Sequence, residues 1–210
     1  MSVPFPPMQR PLVAILRGIK PEETEAIVGV LVEAGMTAIE IPLNSPDPIR
    51  SIALAVKLAP SGVLIGAGTV LTTADVDRLN DVGGRLMVSP NVDTEVLAHA
   101  HQHRMVTMPG VFSPTEALLA ARVGASSLKF FPASVLGAAG IAAIRAVLPA
   151  GVMIAAVGGV SDQNFVEYIK GGVTAFGLGS SLYKPGMTAT DVAARAEVTI
   201  AAYDRAIEKD

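Results

Sequence analysis

The chain has 210 residues, half of them hydrophobic but only 4% aromatic, with a net charge of −3 and no cysteine. That length suits one domain with a core of aliphatic side chains, and it excludes a disulfide framework, a thiolate nucleophile and a cysteine-based zinc site. The slight acidity offers no basic footprint for nucleic acid or for an anionic membrane.

The longest apolar stretch, Val152 to Val160, is too short to span a bilayer. Pro4, Pro6 and Pro7 interrupt the N-terminal segment, where a signal peptide needs an unbroken apolar run. The expectation is a soluble cytoplasmic protein.

In chain order, short apolar runs alternate with longer stretches of helical period. A strand over Leu12–Leu16 precedes a helix over Pro21–Ala34, and Ala38–Leu43 precedes Pro46–Ala59. Val63–Ala67 is followed by Thr72–Asp81, and Leu86–Ser89 by Asp93–His103. The second half repeats the pattern: Met105–Met108 with Pro114–Val123, and Ser127–Phe131 with Ala138–Leu148. Met153–Val157 with Asp162–Lys170, then Ala175–Gly179 with Thr190–Ile207, complete it. Ser45-Pro46, Ser113-Pro114 and Ser161-Asp162 read as helix starts, because a side-chain oxygen can accept from free backbone N–H groups. Gly35, Gly83, Gly124 and Gly171 read as left-handed stops.

Eight β-then-α units, roughly 20 to 27 residues apart, predict an α/β chain folded as a single-domain (β/α)8 TIM barrel over residues 1–210. A doubly wound open sheet shares the alternation, so the count of eight carries the choice. In such a barrel, chemistry sits at the C-terminal ends of the strands and in the loops after them.

Lys129 meets that condition most sharply. It lies within the apolar run Ser127 to Pro132, where a charged side chain is costly and burial favours the neutral amine. A neutral amine in a dry pocket is what attack on a ketone requires. Glu40 is the second ionisable group inside an apolar strand, and a carboxylate of raised pKa can serve several proton transfers in turn. The structural alternative for both is a buried ion pair that merely fills the barrel. Arg17 follows the first strand, where a guanidinium could hold a substrate carboxylate by two parallel hydrogen bonds.

The glycine turns inform as a set. Gly158-Gly159 follows the seventh strand, and Gly177 to Ser181 ends the eighth, the two positions where these barrels bind phosphate. Backbone N–H groups of Gly158, Gly159, Gly179 and Ser180 are therefore expected at a phosphate. Gly66-Ala67-Gly68-Thr69-Val70-Leu71 begins like a dinucleotide fingerprint, but Leu71 stands where the third glycine belongs. His99, His101 and His103 suggest a metal cluster, yet only His99 and His103 share a helical face, so no metal site is expected there.

Together, Ala14 to Ile19, Ile39 to Ser45, Ile65 to Leu71, Leu128 to Pro132 and Ala156 to Val160 resemble the KDPG/KHG aldolase family. The resemblance runs from Leu12 to Tyr203. It implies a class I aldolase that forms a Schiff base on Lys129, with Glu40 as acid and base, acting on a phosphorylated 2-keto-3-deoxy sugar acid. It also implies a homotrimer with no cofactor and no metal requirement. Arg17 with Thr69 is implied as the carboxylate clamp, and Asn44, Pro90 and Phe131 are expected to complete the substrate contacts. Gluconate-type members usually carry an arginine four residues after the glutamate. Asn44 occupies that position here, so the resemblance is closer to the galactonate-type enzymes, which cleave 2-dehydro-3-deoxy-6-phosphogalactonate. The rival readings are a gluconate-type aldolase, a phosphosugar isomerase or epimerase, and a non-catalytic sugar-phosphate-binding barrel.

Overall fold

The computed structural model describes residues 3–208; positions 1–2 and 209–210 of the expected domain lie outside the described residues. The first half runs β1 (Leu12–Ile15), α1 (Pro21–Glu33), β2 (Ala38–Pro42), α2 (Pro48–Leu58), β3 (Leu64–Gly68), α3 (Thr73–Asp81), β4 (Leu86–Val88) and α4 (Thr94–Gln102). The second half runs β5 (Val106–Met108), β6 (Gly110–Val111), α5 (Pro114–Arg122), β7 (Leu128–Phe130), α6 (Ala133–Arg145), β8 (Ile154–Val157), α7 (Phe165–Lys170), β9 (Ala175–Leu178) and α8 (Ala189–Ile207).

All strand pairs are parallel, in the order β5-β4-β3-β2-β1-β9-β8-β7-β6. The two ends of that order are consecutive in the chain and separated only by Pro109, which has no N–H to give a ladder. Two further bonds cross there: the Ser127 N–H donates to Thr107 O at 3.1 Å and the Lys129 N–H to Pro109 O at 3.0 Å. The sheet is thus a nearly closed parallel barrel. Among the described residues there are nine strands where the sequence led to eight, because Gly110–Val111 forms a strand of its own after Pro109.

Side chains alternate between two cores, as the two-residue period of a strand requires. Leu12, Ala14, Ile39, Ile41, Leu128, Phe130, Phe176 and Leu178 pack outward with the helices. Val13, Ala38, Leu86, Val88, Val106, Met108, Ala155 and Ala175 form a separate cluster, with Val3, Phe5 and Met8 packed against it. Lys129 lies between outward-packed Leu128 and Phe130, and therefore shares the parity of the inner set.

Side-chain capping explains half of the eight helix starts among the described residues. Thr72, Ser113 and Thr188 accept from the backbone N–H three residues on, and Asp75, Glu116 and Asp191 reach back to each cap. Other expected boundaries move. Ser45 does not open α2: its hydroxyl accepts from the Gly18 N–H at 2.9 Å, and Asp47, in the left-handed region, precedes Pro48 instead. The helix expected from Ala138 starts at Ala133 and breaks at Gly137, whose φ of 65° is non-helical. The helix expected from Asp162 begins at Phe165, after a turn in which the Ser161 N–H donates to Asn164 Oδ1. Gly35, Gly83 and Gly124 take positive φ as expected, but beyond α7 that role falls to Gly172 rather than Gly171. No helix among the described residues is long and apolar enough to cross a membrane.

Candidate active site

A cavity of about 610 Å³ opens at the C-terminal ends of the strands, in the size range of small-molecule sites. Ile15, Glu40, Lys129, Val157 and Gly177 line it from the barrel interior, one layer beyond the apolar inner cluster. Small inward positions leave the space. A Cβ on Gly68 would stand 2.5 Å from Glu40 Oε1, and one on Gly177 would stand 2.7 Å from Val157 Cγ2.

Glu40 and Lys129 are both buried, at 2% and 6% exposure. Burial raises the Glu40 pKa against the opposing pull of Lys129 and Arg17. Burial also lowers the Lys129 pKa; Glu40 opposes that shift and Arg17 adds to it. Ion pairs among the described residues join Arg10 to Asp204, Arg78 to Asp75, and Asp77 to His99 and His103; none involves Glu40 or Lys129. The buried-ion-pair alternative therefore finds no contact at ion-pair distance. Lys129 Nζ lies instead 5.1 Å from the centroid of the Phe131 ring, which also lines the cavity.

Arg17, Gly158, Gly159, Gly179 and Ser180 line the same cavity. Gly158 and Gly159 both take positive φ, 90° and 79°, so this turn needs residues without a Cβ. A Cβ on Gly159 would also meet Ser134 Cβ at 2.5 Å. After β9 the N–H groups of Leu182 and Tyr183 both donate to Gly179 O, forming a single helical turn. The short α7 begins several residues beyond the glycine pair and α8 begins at Ala189, so the segment expected to meet a phosphate consists of turns rather than the start of a long helix.

Three expected contacts stand outside the lining. Asn44 is exposed, but it accepts from Arg17 Nη1 at 2.6 Å, which ties it to the rim. Thr69 is half-buried beside Gly68, with a positive φ of 58°. Pro90 is exposed just beyond β4 and does not line the cavity. Gly18, Ser161, Tyr183, Lys184 and Pro185, to which sequence reading assigned no site role, do line it, as does Ser181 of the expected turn after the last strand. Their one signal was position, since all lie in loops that follow strands. The Tyr183 hydroxyl is buried with no hydrogen-bond partner among the described residues, and burial together with the nearby Glu23 pushes its pKa up to about 12.

Comparison with known proteins agrees with this geometry. A family model described as KDPG and KHG aldolase matches residues 8–198. A protein of Rhizobium meliloti (strain 1021), named probable 2-dehydro-3-deoxy-6-phosphogalactonate aldolase, is 70% identical over 202 residues, 96% of this chain and 95% of that one. An Escherichia coli (strain K12) protein named 2-dehydro-3-deoxy-6-phosphogalactonate aldolase is 43% identical over 198 residues, covering 94% of this chain and 97% of its own. A solved structure described as native KDPGal superposes with a TM-score of 0.94 at 42% identity, over 99% of this chain and 100% of the other. With a buried lysine and glutamate at the mouth of a parallel barrel, and a family match across most of its length, this chain belongs to the KDPG and KHG aldolase family of carbon–carbon lyases.

Proposed function

We propose that this chain is a class I aldolase that cleaves 2-dehydro-3-deoxy-6-phosphogalactonate to pyruvate and D-glyceraldehyde 3-phosphate. The observation that carries the proposal is the placement of Lys129: buried, with a lowered pKa, and open to a cavity that also holds Glu40. The identity to relatives named for the galactonate substrate supports the choice of epimer.

The neutral Lys129 amine attacks the C2 ketone, and loss of water leaves a protonated imine. That cation accepts the electron pair of the C3–C4 bond as the C4 hydroxyl gives up its proton. Glu40, directly or through a water, takes that proton; its raised pKa lets it also return one. The aldehyde leaves as glyceraldehyde 3-phosphate, its phosphate held at Gly158, Gly159, Gly179 and Ser180. The remaining enamine is protonated at C3 and hydrolysed to pyruvate. Arg17, fixed by Asn44, holds the pyruvoyl carboxylate with Thr69, and Phe131 packs beside the amine. Pro90 takes no chemical step, and the substrate contacts expected of Thr69 and Pro90, which both stand outside the cavity lining, rest on the family resemblance.

We further infer that β5 and β6 act as one strand interrupted at Pro109, which makes the architecture a single (β/α)8 domain. A homotrimer follows from the family resemblance and is checked by sedimentation, while a cytoplasmic location rests on the cysteine-free composition. The substrate assignment is tested by supplying the galactonate substrate and its gluconate epimer separately and reading pyruvate release. Preferential cleavage of the galactonate is expected. Release from neither would remove the proposal, and preference for the gluconate would reassign the epimer.

A further inference from the structure

Away from the cavity, the fold adds a third group to the histidine pair that sequence spacing alone left unused. His99 and His103 sit one helical turn apart at the C-terminal end of α4, and α3 packs beside it. From α3, Asp77 Oδ1 lies 2.6 Å from His99 Nε2 and 3.2 Å from His103 Nε2. The two rings meet edge to face with centroids 4.9 Å apart, and the three potential donor atoms all lie within 4.8 Å of one another.

We propose that Asp77, His99 and His103 form a binding site for one divalent transition-metal ion of the zinc type, which joins α3 to α4 on the outer ring of helices. Both imidazole Nε2 atoms approach the same carboxylate oxygen, which gathers three donor atoms closely enough to surround one ion. A simple ion pair would need only one of them. In zinc sites the nitrogen and oxygen donors stand about 2.0–2.2 Å from the ion, so the donor atoms of a tetrahedral site lie roughly 3–3.5 Å apart. The His103–Asp77 spacing is already in that range, and the His99–Asp77 contact must open by less than about 1 Å. Two imidazoles with one carboxylate favour zinc, nickel or cobalt over magnesium or calcium, which prefer all-oxygen sites. The partly exposed position leaves room for water as a fourth donor. None of the three residues lines the cavity that holds Lys129, so the ion acts on the helical ring and not on the reaction.

The test is a calorimetric titration of the full chain with Zn²⁺ alone near neutral pH. One equivalent should bind in the micromolar range or tighter, and an excess of Mg²⁺ should leave the signal unchanged. His103→Ala and Asp77→Ala should each weaken binding by about tenfold or more. The chain has three histidines and no cysteine, and His101 Nε2 is directed to Thr107 Oγ1, so any two-imidazole site within one chain depends on this pair. Zinc-edge X-ray absorption on the unmutated chain therefore gives a reading that no misfolded variant can confuse. A shell with two imidazoles is expected. An all-oxygen shell, no binding by the unmutated chain, or full binding by a His99→Ala/His103→Ala double variant would overturn the site.

Discussion

Arg17 Nη1 donates to Asn44 Oδ1 at 2.6 Å, which joins the turn after β1 to the turn after β2. By the family resemblance, these are the two positions at which gluconate-type and galactonate-type members place their arginine. Adjacency in space means that moving the guanidinium from one strand to the other leaves it at the same part of the rim.

If that guanidinium clamps the pyruvoyl carboxylate, Arg17→Ala should raise KM about tenfold to a hundredfold, the worth of a charged hydrogen bond. Asn44→Ala should have a smaller effect in the same direction. The double exchange Arg17→Asn with Asn44→Arg should restore part of the loss. Steady-state kinetics decides, and an unchanged KM in Arg17→Ala would free the arginine from this role.

Gly68 bears on Glu40 in a similar way, because a methyl group there would stand 2.5 Å from Glu40 Oε1 and 2.9 Å from its Cδ. Gly68→Ala should displace the carboxylate and lower kcat by about 10²-fold. Glu40→Gln should lower it by about 10²–10⁴-fold. A loss confined to KM in both variants would make Glu40 a binding group.

The pKa directions predict a pH response. Lys129 is lowered by burial, so the rate of pyruvate adduct formation should rise with pH and level off below the ordinary lysine value of 10.5. The same shifts weigh on folding. The raised Glu40 pKa gives stability that is present at acid pH and is lost as pH rises through the folded value. The lowered Lys129 pKa gives stability that is present above 10.5 and is lost as pH falls through the folded value. Between those limits both groups weigh against the fold, offset in part by their mutual attraction. A Glu40→Gln/Lys129→Met double variant should therefore be inactive but more stable near neutral pH by about 1–4 kcal/mol in urea unfolding. A less stable variant would show that the pair supports the fold.

The glycine pair separates phosphate binding from the covalent step. Gly159→Ala forces a Cβ onto a φ of 79° and against Ser134, a strain of about 1–3 kcal/mol. KM for the phosphorylated substrate should rise while adduct formation with unphosphorylated pyruvate stays intact. Equal loss of both would place Gly159 outside the phosphate site.

Lys129 and Glu40 were legible in the sequence because a charge inside an apolar strand conflicts with its neighbours. The alternation of strands and helices was legible for the same reason, since period and capping residues act locally. Features that depend on a distant partner were not. Ser45 looks like a helix cap until Gly18 claims its hydroxyl. Pro109 does not reveal by itself that Gly110–Val111 forms a separate strand. The Tyr183–Pro185 segment belongs to an irregular connection with no period to mark it, and Asp77 reaches the histidines only because α3 packs on α4.

The most direct measurement is reduction of the chain with sodium borohydride in the presence of pyruvate, followed by peptide mass mapping. One reduced pyruvyl group is expected on Lys129, and none in Lys129→Ala. Lys184, the other lysine lining the cavity, should stay unmodified. A label on Lys184, or no label anywhere, would contradict that expectation.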